Sequence, residues 1–341
     1  MLMHLSLFFW CRHHCARDQS HRATTSKAIV CAIALGSPTL ALAQSAASLP
    51  KVGLLAWDVC EIPNLIAGLK ELGRIPGETI TIECRSAGGR DEGLFPAAVE
   101  LARIPVDVIV SNSQPGGHAA MKATKTIPIV TIISGNPVAA GLAQSLARPV
   151  HNLTGISYYV TELTTKRLEL LKEMVPGLST IGVLANPKVS YLPFEEETKR
   201  AATSLGVAVI IFQVREPSDL DEAFHQMKAQ GAQAVFVLPD LMLAHEAKHI
   251  ADLALAERLP MMAWGGWYTE VGGLMAYSAD YSRLSRRLAV YVDRVLKGTK
   301  PGDLPIEQPV RFELSLNQRT ARSLGLTIPP VLLTLADRIV E

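Results

Sequence analysis

Cysteine is scarce in this 341-residue chain: there are five, and three of them precede residue 44. Only Cys60 and Cys84 remain in the body of the sequence, which excludes a disulfide-dense scaffold. At most one bridge forms, and two separately buried thiols satisfy the composition equally well. An excess of one charge is missing too. Residues 44–341 carry 29 basic and 31 acidic side chains, a net charge of −2, with no basic cluster. Such a balance gives no electrostatic footprint for nucleic acid, which is therefore not an expected partner. Beyond residue 43 no stretch approaches the roughly 20 uninterrupted apolar residues that a membrane helix requires, so a soluble product, not embedded in a bilayer, is expected.

Several chemical signatures are absent as well. Val52-Gly53-Leu54 lies within a strand pattern and Gly68 falls in mid-helix, so no G-x-G-x-x-G follows the first strand. Neither a Walker A loop nor a G-x-S-x-G elbow occurs. The histidines after residue 43 (His118, His151, His225, His245 and His249) show no spacing with Ser and Asp that suggests a nucleophilic triad. No cofactor and no catalytic residue is predicted. No repeat of 20 to 50 residues appears, which argues against a solenoid.

What is present begins with an export pattern. Lys27 precedes a short apolar run that ends in Ala41-Leu42-Ala43, giving a positive start, an apolar centre and small residues at −3 and −1 of a cut before Gln44. Residues 1–43 are read as a presequence, and a periplasmic location follows. Residues 1–26 form an overlong lead with four histidines, consistent with an upstream start codon. A lipid anchor would need a cysteine just after the run, whereas Cys31 lies at its beginning.

From Lys51 onward, short β-branched runs alternate with amphipathic segments, the pattern of parallel sheets wrapped by helices. Strands are predicted at 51–57, 79–83, 106–110 and 127–133, with helices at 61–72, 91–103 and 115–124. A helix at 162–174 opens a second series: strands at 180–185, 207–212, 234–238 and 260–263, and helices at 194–205, 218–230 and 241–258; after 273–278 comes one more helix, at 284–296. An extended Pro-rich passage at 301–316 and a terminal helical stretch follow. The fold class is α/β, two doubly wound (Rossmann-like) parallel-sheet domains with a cleft between them. The lobes are placed at 44–157, joined by part of 279–341, and at 158–278; residues 279–341 form a hinge crossing and tail.

In open parallel sheets, ligands bind outside the carboxyl ends of the strands, where loops converge and helix N-termini offer free N–H groups. The residues at those ends are Trp57, Asp58, Ser113, Gln114, Ser134 and Asn136 in the first unit, and Asn186, Tyr191, Asp240 and Trp264 in the second. Amide, hydroxyl, carboxylate and ring together suit a small polar or zwitterionic molecule. Turn chemistry alone also favours Ser, Asn and Asp at strand ends. Trp57, Tyr191 and Trp264 are harder to assign to turns, because a loop aromatic needs a surface to cover.

One motif points elsewhere. His245-Glu246-Ala247-Lys248-His249 matches H-E-x-x-H, in which two histidines one turn apart bind zinc and the glutamate acts as base. However, Leu243, Ala247, Ile250 and Ala254 mark the buried stripe of that segment. Both histidines then face solvent beside Lys248 and Asp252, and no metal ligand is predicted.

Over most of its length after residue 43 the chain resembles the ABC transporter substrate-binding proteins with a type I periplasmic-binding fold. The resemblance rests on Gly68-Leu-Lys-Glu-Leu-Gly73, Val106-Asp-Val-Ile-Val110, Thr126-Ile-Pro-Ile-Val130, Gly141-Leu-Ala-Gln-Ser-Leu-Ala-Arg-Pro149 and Asn152-Leu-Thr-Gly155. Lys166-Arg-Leu-Glu-Leu-Leu-Lys172, Gly273-Leu-Met-Ala-Tyr277, Leu304-Pro-Ile-Glu-Gln-Pro309 and Gly325-Leu-Thr-Ile-Pro-Pro330 continue it. It implies a monomer that closes two lobes on one solute and presents the closed form to a membrane permease and, through that permease, an ATPase subunit. Hinge crossings are implied near 155–159, 275–281 and 304–309. Asn136 departs from the family pattern, standing where an acidic residue is common, and Val150-His151 replaces a Gly-Gly pair. The first departure removes one ammonium-binding carboxylate, while Asp58 and Asp240 remain able to meet a ligand amine. An amino-acid-like solute is favoured. The alternatives are a periplasmic sensor subunit on the same fold, which differs only in its membrane partner, and a zinc hydrolase using His245, Glu246 and His249.

Overall fold

The structure, a computed structural model, describes residues 48–149, 151–158, 162–188 and 194–341. Tyr191 and part of the first expected crossing lie outside the described residues.

The first lobe runs β1 (Lys51–Ala56), α1 (Pro63–Glu71), β2 (Thr81–Ser86), α2 (Asp91–Arg103), β3 (Val108–Ser111), α3 (Gln114–Ala123), β4 (Ile129–Ile133) and β5 (Leu153–Ser157). Its five strands are all parallel, in the order β2-β1-β3-β4-β5. The near-continuous Val and Ile of β3 and β4 follow from burial on both faces of a helix-covered sheet.

The second lobe runs α4 (Glu162–Met174), β6 (Thr180–Ala185), α5 (Phe194–Ser204), β7 (Ala208–Gln213), α6 (Leu220–Ala229), β8 (Ala234–Val237), α7 (Leu241–His245), α8 (Ala247–Ala256), β9 (Met261–Ala263), α9 (Trp267–Glu270) and β10 (Met275–Ala279). Then come α10 (Tyr281–Leu296), β11 (Phe312–Asn317), α11 (Gln318–Ser323), α12 (Pro330–Leu335) and β12 (Arg338–Val340). The strand order is β12-β11-β10-β9-β8-β6-β7. Strands β7-β6-β8-β9-β10 therefore repeat the topology of the first sheet, and β11 joins them antiparallel to β10.

The tail is divided between the lobes. Helix α10 returns to the first lobe and packs on α1, where Gly68 permits the approach: a Cβ there would stand 2.9 Å from that of Ala289. Strands β11 and β12 extend the second sheet instead. The expected segment 241–258 is interrupted by a turn at Glu246, and α10 starts at Tyr281 rather than 284 because the Asp280 carboxylate accepts the N–H groups of Ser282 and Arg283. Strands β5 and β12 carry no clear period in the sequence and were not anticipated.

Three passages link the lobes: after β5, at Asp280 after β10, and between residues 304 and 312. The last is pinned to β5, with Ser157 N–H donating to Glu307 O at 2.8 Å and Thr154 Oγ1 donating to Leu304 O at 2.7 Å. Gly155 lies at φ +155°, and a side chain there would collide with the Thr131 carbonyl.

Candidate functional site

Because both sheets share one topology, equivalent strand ends meet across the cleft. Ser113 and Gln114 follow β3, and Asp240 follows its counterpart β8. Ser134 follows β4, and Trp264 follows β9. Tyr158 follows β5, and Tyr281 follows β10. These seven residues, with Asp91, Pro115, Ile132, Pro239 and Leu241, line a narrow cavity between the lobes.

The first-lobe wall is built around the N-terminus of α3. The Ser113 hydroxyl caps that helix by accepting from Gly116 N–H at 3.2 Å. Gln114 is only 1% exposed. Its Oε1 accepts from Gly135 N–H and, at 3.4 Å, from the Ser134 hydroxyl, which orients the amide. The Gln114 Nε2 group is buried without an acceptor among the described residues. A buried donor beside a helix N-terminus attracts an acceptor, above all a carboxylate.

The opposite electrical character comes from two carboxylates. Asp240, 8% exposed, caps α7 through Leu243 N–H at 2.8 Å and accepts from Asn186 Nδ2 at 3.0 Å. Burial pushes its pKa up to about 6; the Leu243 and Asn186 hydrogen bonds oppose that rise, and the negative charge of Asp91 adds to it. Asp91, the first residue of α2, is also raised by burial, against the Trp57 indole N–H that donates to it at 2.7 Å. Each acid comes from a different lobe. A cation between them relieves their mutual repulsion only when the lobes are together.

Rings complete the enclosure. Tyr158 and Trp264 stack, Trp267 meets the edge of Trp264 at 4.9 Å, and Tyr281 contacts both Tyr158 and Trp267. The Tyr281 hydroxyl donates to Asn112 O at 2.9 Å.

Of the residues nominated from strand ends, Ser113, Gln114, Ser134, Asp240 and Trp264 line the cavity. Trp57 and Asn186 stand one layer behind it, holding Asp91 and Asp240. Asp58 faces His245 at 3.3 Å on the rim rather than the cavity. The Asn136 side-chain Oδ1 is occupied by Val138 and Ala139 N–H in its own turn. Asp91, Tyr158 and Tyr281 were missed, although the strand-end rule applied to β5 and β10 finds the two tyrosines.

The two histidines of H-E-x-x-H share Glu246, which lies 3.3 Å from His245 Nδ1 and 3.7 Å from His249 Nδ1, while their Nε2 atoms turn to different partners. His245 turns to Asp58 of the other lobe, and His249 turns to Asp221 of α6 at 3.4 Å. Among the described residues, no group of three or more His, Cys, Asp or Glu is arranged to hold a metal ion. Cys60 and Cys84 form a disulfide that ties the loop after β1 to β2.

Two lobes of one doubly wound topology, three crossings and a cleft between them define a type I periplasmic-binding protein. The chain belongs to the ABC transporter substrate binding protein family, whose profile matches residues 62–340. Members of that family bind solute outside the cytoplasm for an importer made of a permease and an ATPase. The chain is 25% identical over 268 residues to the tyrosine-binding protein of Clostridioides difficile (strain R20291), covering 77% of this chain and 76% of that one. It is similar to an ABC domain from Streptococcus pneumonia in complex with L-Trp, with 25% identity, TM-score 0.79, and 86% of this chain and 100% of that chain covered. Against the ligand-free, open structure of a substrate binding protein with adhesive properties from Clostridium difficile, the identity is again 25% but the TM-score is 0.62, with 86% and 99% covered.

Proposed function

We propose that the protein captures an aromatic L-amino acid in the periplasm and delivers it to its permease. The observation that carries this reading is the division of one cavity into three chemistries: the unpaired Gln114 donor at the N-terminus of α3, the paired carboxylates Asp91 and Asp240, and the rings of Tyr158, Trp264 and Tyr281. An α-carboxylate suits the first, an α-ammonium the second and an aromatic side chain the third. The tyrosine-binding relative and the L-Trp complex support the same ligand class.

The mechanism is differential binding. Asp91 and Asp240 belong to different lobes and repel each other when the cleft shuts, so a solute ammonium between them favours the shut form over the open one. Only such a difference in affinity shifts the population the permease meets. The presequence at 1–43, with a cut before Gln44, supports secretion to the periplasm.

The test is calorimetric titration of the exported protein with L-tyrosine, L-tryptophan, L-phenylalanine, L-leucine and a hexose. Tight binding confined to the aromatic amino acids, and weakened at least about tenfold by Asp240→Asn or Asp91→Asn, supports the proposal. Preference for leucine or the hexose overturns it.

A further inference from the structure

Among the described residues, Arg167 is a buried cation that no carboxylate meets. It sits in α4, is 4% exposed, and donates from Nε to the Tyr277 carbonyl at 2.7 Å. Among the described residues no carboxylate pairs with it; the groups whose charge acts on it are the phenols of Tyr158 and Tyr277. Burial lowers its pKa to about 10, which leaves the guanidinium charged at neutral pH. A desolvated charge of this kind is costly unless a counter-charge arrives.

The space beside it shows where one arrives. Arg167, with Leu163 and Thr164 one helical turn before it, borders a small chamber that Ser134, Tyr158, Phe194 and Pro239 complete. Ser134, Tyr158 and Pro239 are also walls of the main cavity, so the two spaces adjoin. The chamber is the smaller of the two.

We infer that Arg167 is the anion subsite of the cleft, its guanidinium taking the solute carboxylate past Ser134 while Gln114 Nε2 donates from the other side. The fixed fork of an arginine matches a carboxylate in two parallel hydrogen bonds, which a lysine does not reproduce. The identity of the solute rests on the function proposed above, but the need for a carboxylate does not. The contact with Tyr277 O also places the subsite on β10, the strand that leads into the crossing at Asp280.

The experiment compares wild type, Arg167→Gln and Arg167→Lys, each purified after expression of the full chain, against three probes. L-Tyrosine carries carboxylate and ammonium, tyramine lacks the carboxylate, and 4-hydroxyphenylacetate lacks the ammonium. Wild type is expected to bind L-tyrosine at least about 30-fold more tightly than tyramine. Arg167→Gln loses that factor for L-tyrosine and binds tyramine as wild type does, with Arg167→Lys between them. Equal weakening of both ligands, or of neither, overturns the assignment and leaves Arg167 as a strut for β10. If wild type binds no aromatic amino acid, the proposed solute falls, and the subsite is judged on 4-hydroxyphenylacetate alone. A thermal shift in wild type that Arg167→Gln abolishes sustains it; no difference between the two proteins overturns it. Should Arg167→Gln fail to fold, the same pattern at smaller amplitude in Arg167→Lys decides the matter.

Discussion

Tyr158 and Trp264 lie parallel, ring centroids 6.1 Å apart and planes 7° from each other, although one follows β5 of the first sheet and the other follows β9 of the second. The contact exists only while the lobes are together, so the aromatic wall of the cavity is completed by closure. Trp264 is 5% exposed and braced edge-on by Trp267, and its removal leaves a large void. Trp264→Ala is expected to lower unfolding free energy by about 3–5 kcal/mol and to weaken aromatic ligands by at least about tenfold. Trp264→Phe, which keeps a ring, retains most of both. Urea melts and calorimetric titration of the two variants check this; equal losses in both would show that ring stacking is not what matters.

Gln114 separates a positioning role from a binding role within one side chain. Its Oε1 holds Gly135 N–H, while its Nε2 is buried without an acceptor among the described residues. Gln114→Glu preserves the first contact and replaces the second donor with a negative charge. The expected result is a roughly 10- to 100-fold loss of amino-acid affinity, the range of a hydrogen bond to a charged group, with a lowered melting temperature because the new carboxylate is buried. A variant that binds normally would remove Gln114 from the carboxylate end of the site.

The legibility of this chain tracks its punctuation. Segments with strong boundaries were read to the residue: α2 opens on Asp91-Glu92, α4 runs Glu162–Met174, and β6 runs Thr180–Ala185 between polar turns. Strand β5, Leu-Thr-Gly-Ile-Ser, has little apolar alternation and a glycine at its centre, and its pairing with β4 is a tertiary fact that no local period announces. Missing β5 meant missing the residue after it, Tyr158. Asp91 was assigned to its helix and not to the cleft, because a carboxylate in a first helical turn explains itself locally. Asp58 and Asn136, conversely, have the right chemistry at the right strand ends but are taken up by the rim and by a turn.

The rim contact of Asp58 with His245 is a further test of the zinc reading. Both side chains are substantially exposed, at 38% and 55%, so the pair contributes no more than about 1 kcal/mol. Asp58→Asn and His245→Ala should therefore change solute affinity by less than about fivefold. Neither variant, nor Glu246→Gln, should alter the melting temperature by more than a few degrees in the presence of zinc. A large zinc-dependent stabilisation of wild type, lost in His245→Ala, would mean that the two histidines turn from their present partners to a shared metal.

The Cys60–Cys84 bridge closes a segment of 24 residues and holds the loop that carries Trp57, whose indole orients Asp91. Loop closure of this size is worth about 3 kcal/mol. The double variant Cys60→Ser, Cys84→Ser should lose about that much stability and bind solute several-fold more weakly, through Asp91. Unfolded protein should show no free thiol from these residues until it is reduced. Thiols that titrate without reductant would show that the bridge does not form in the isolated protein.

Protonation of Asp240 should stabilise the solute-free protein and weaken solute binding, two opposite signs from one carboxyl. Burial raises Asp240 from its ordinary 3.8 to about 6, so between roughly pH 4 and 6 the folded chain holds a proton that the unfolded chain releases. That contribution to stability is complete below the unfolded value and is lost as pH rises through about 6; the raised Asp91 acts in the same direction. A solute ammonium needs the ionised form instead, so affinity should be highest above pH 6 and fall by up to about tenfold per pH unit below it for each proton taken up. Melting temperatures recorded from pH 5 to pH 8 with and without L-tyrosine should therefore converge toward the acid end, because the ligand increment follows affinity by mass action. In Asp240→Asn the solute-free profile should flatten over the same interval. An increment that grows on acidification would mean that the carboxylates of the cavity do not face the ammonium.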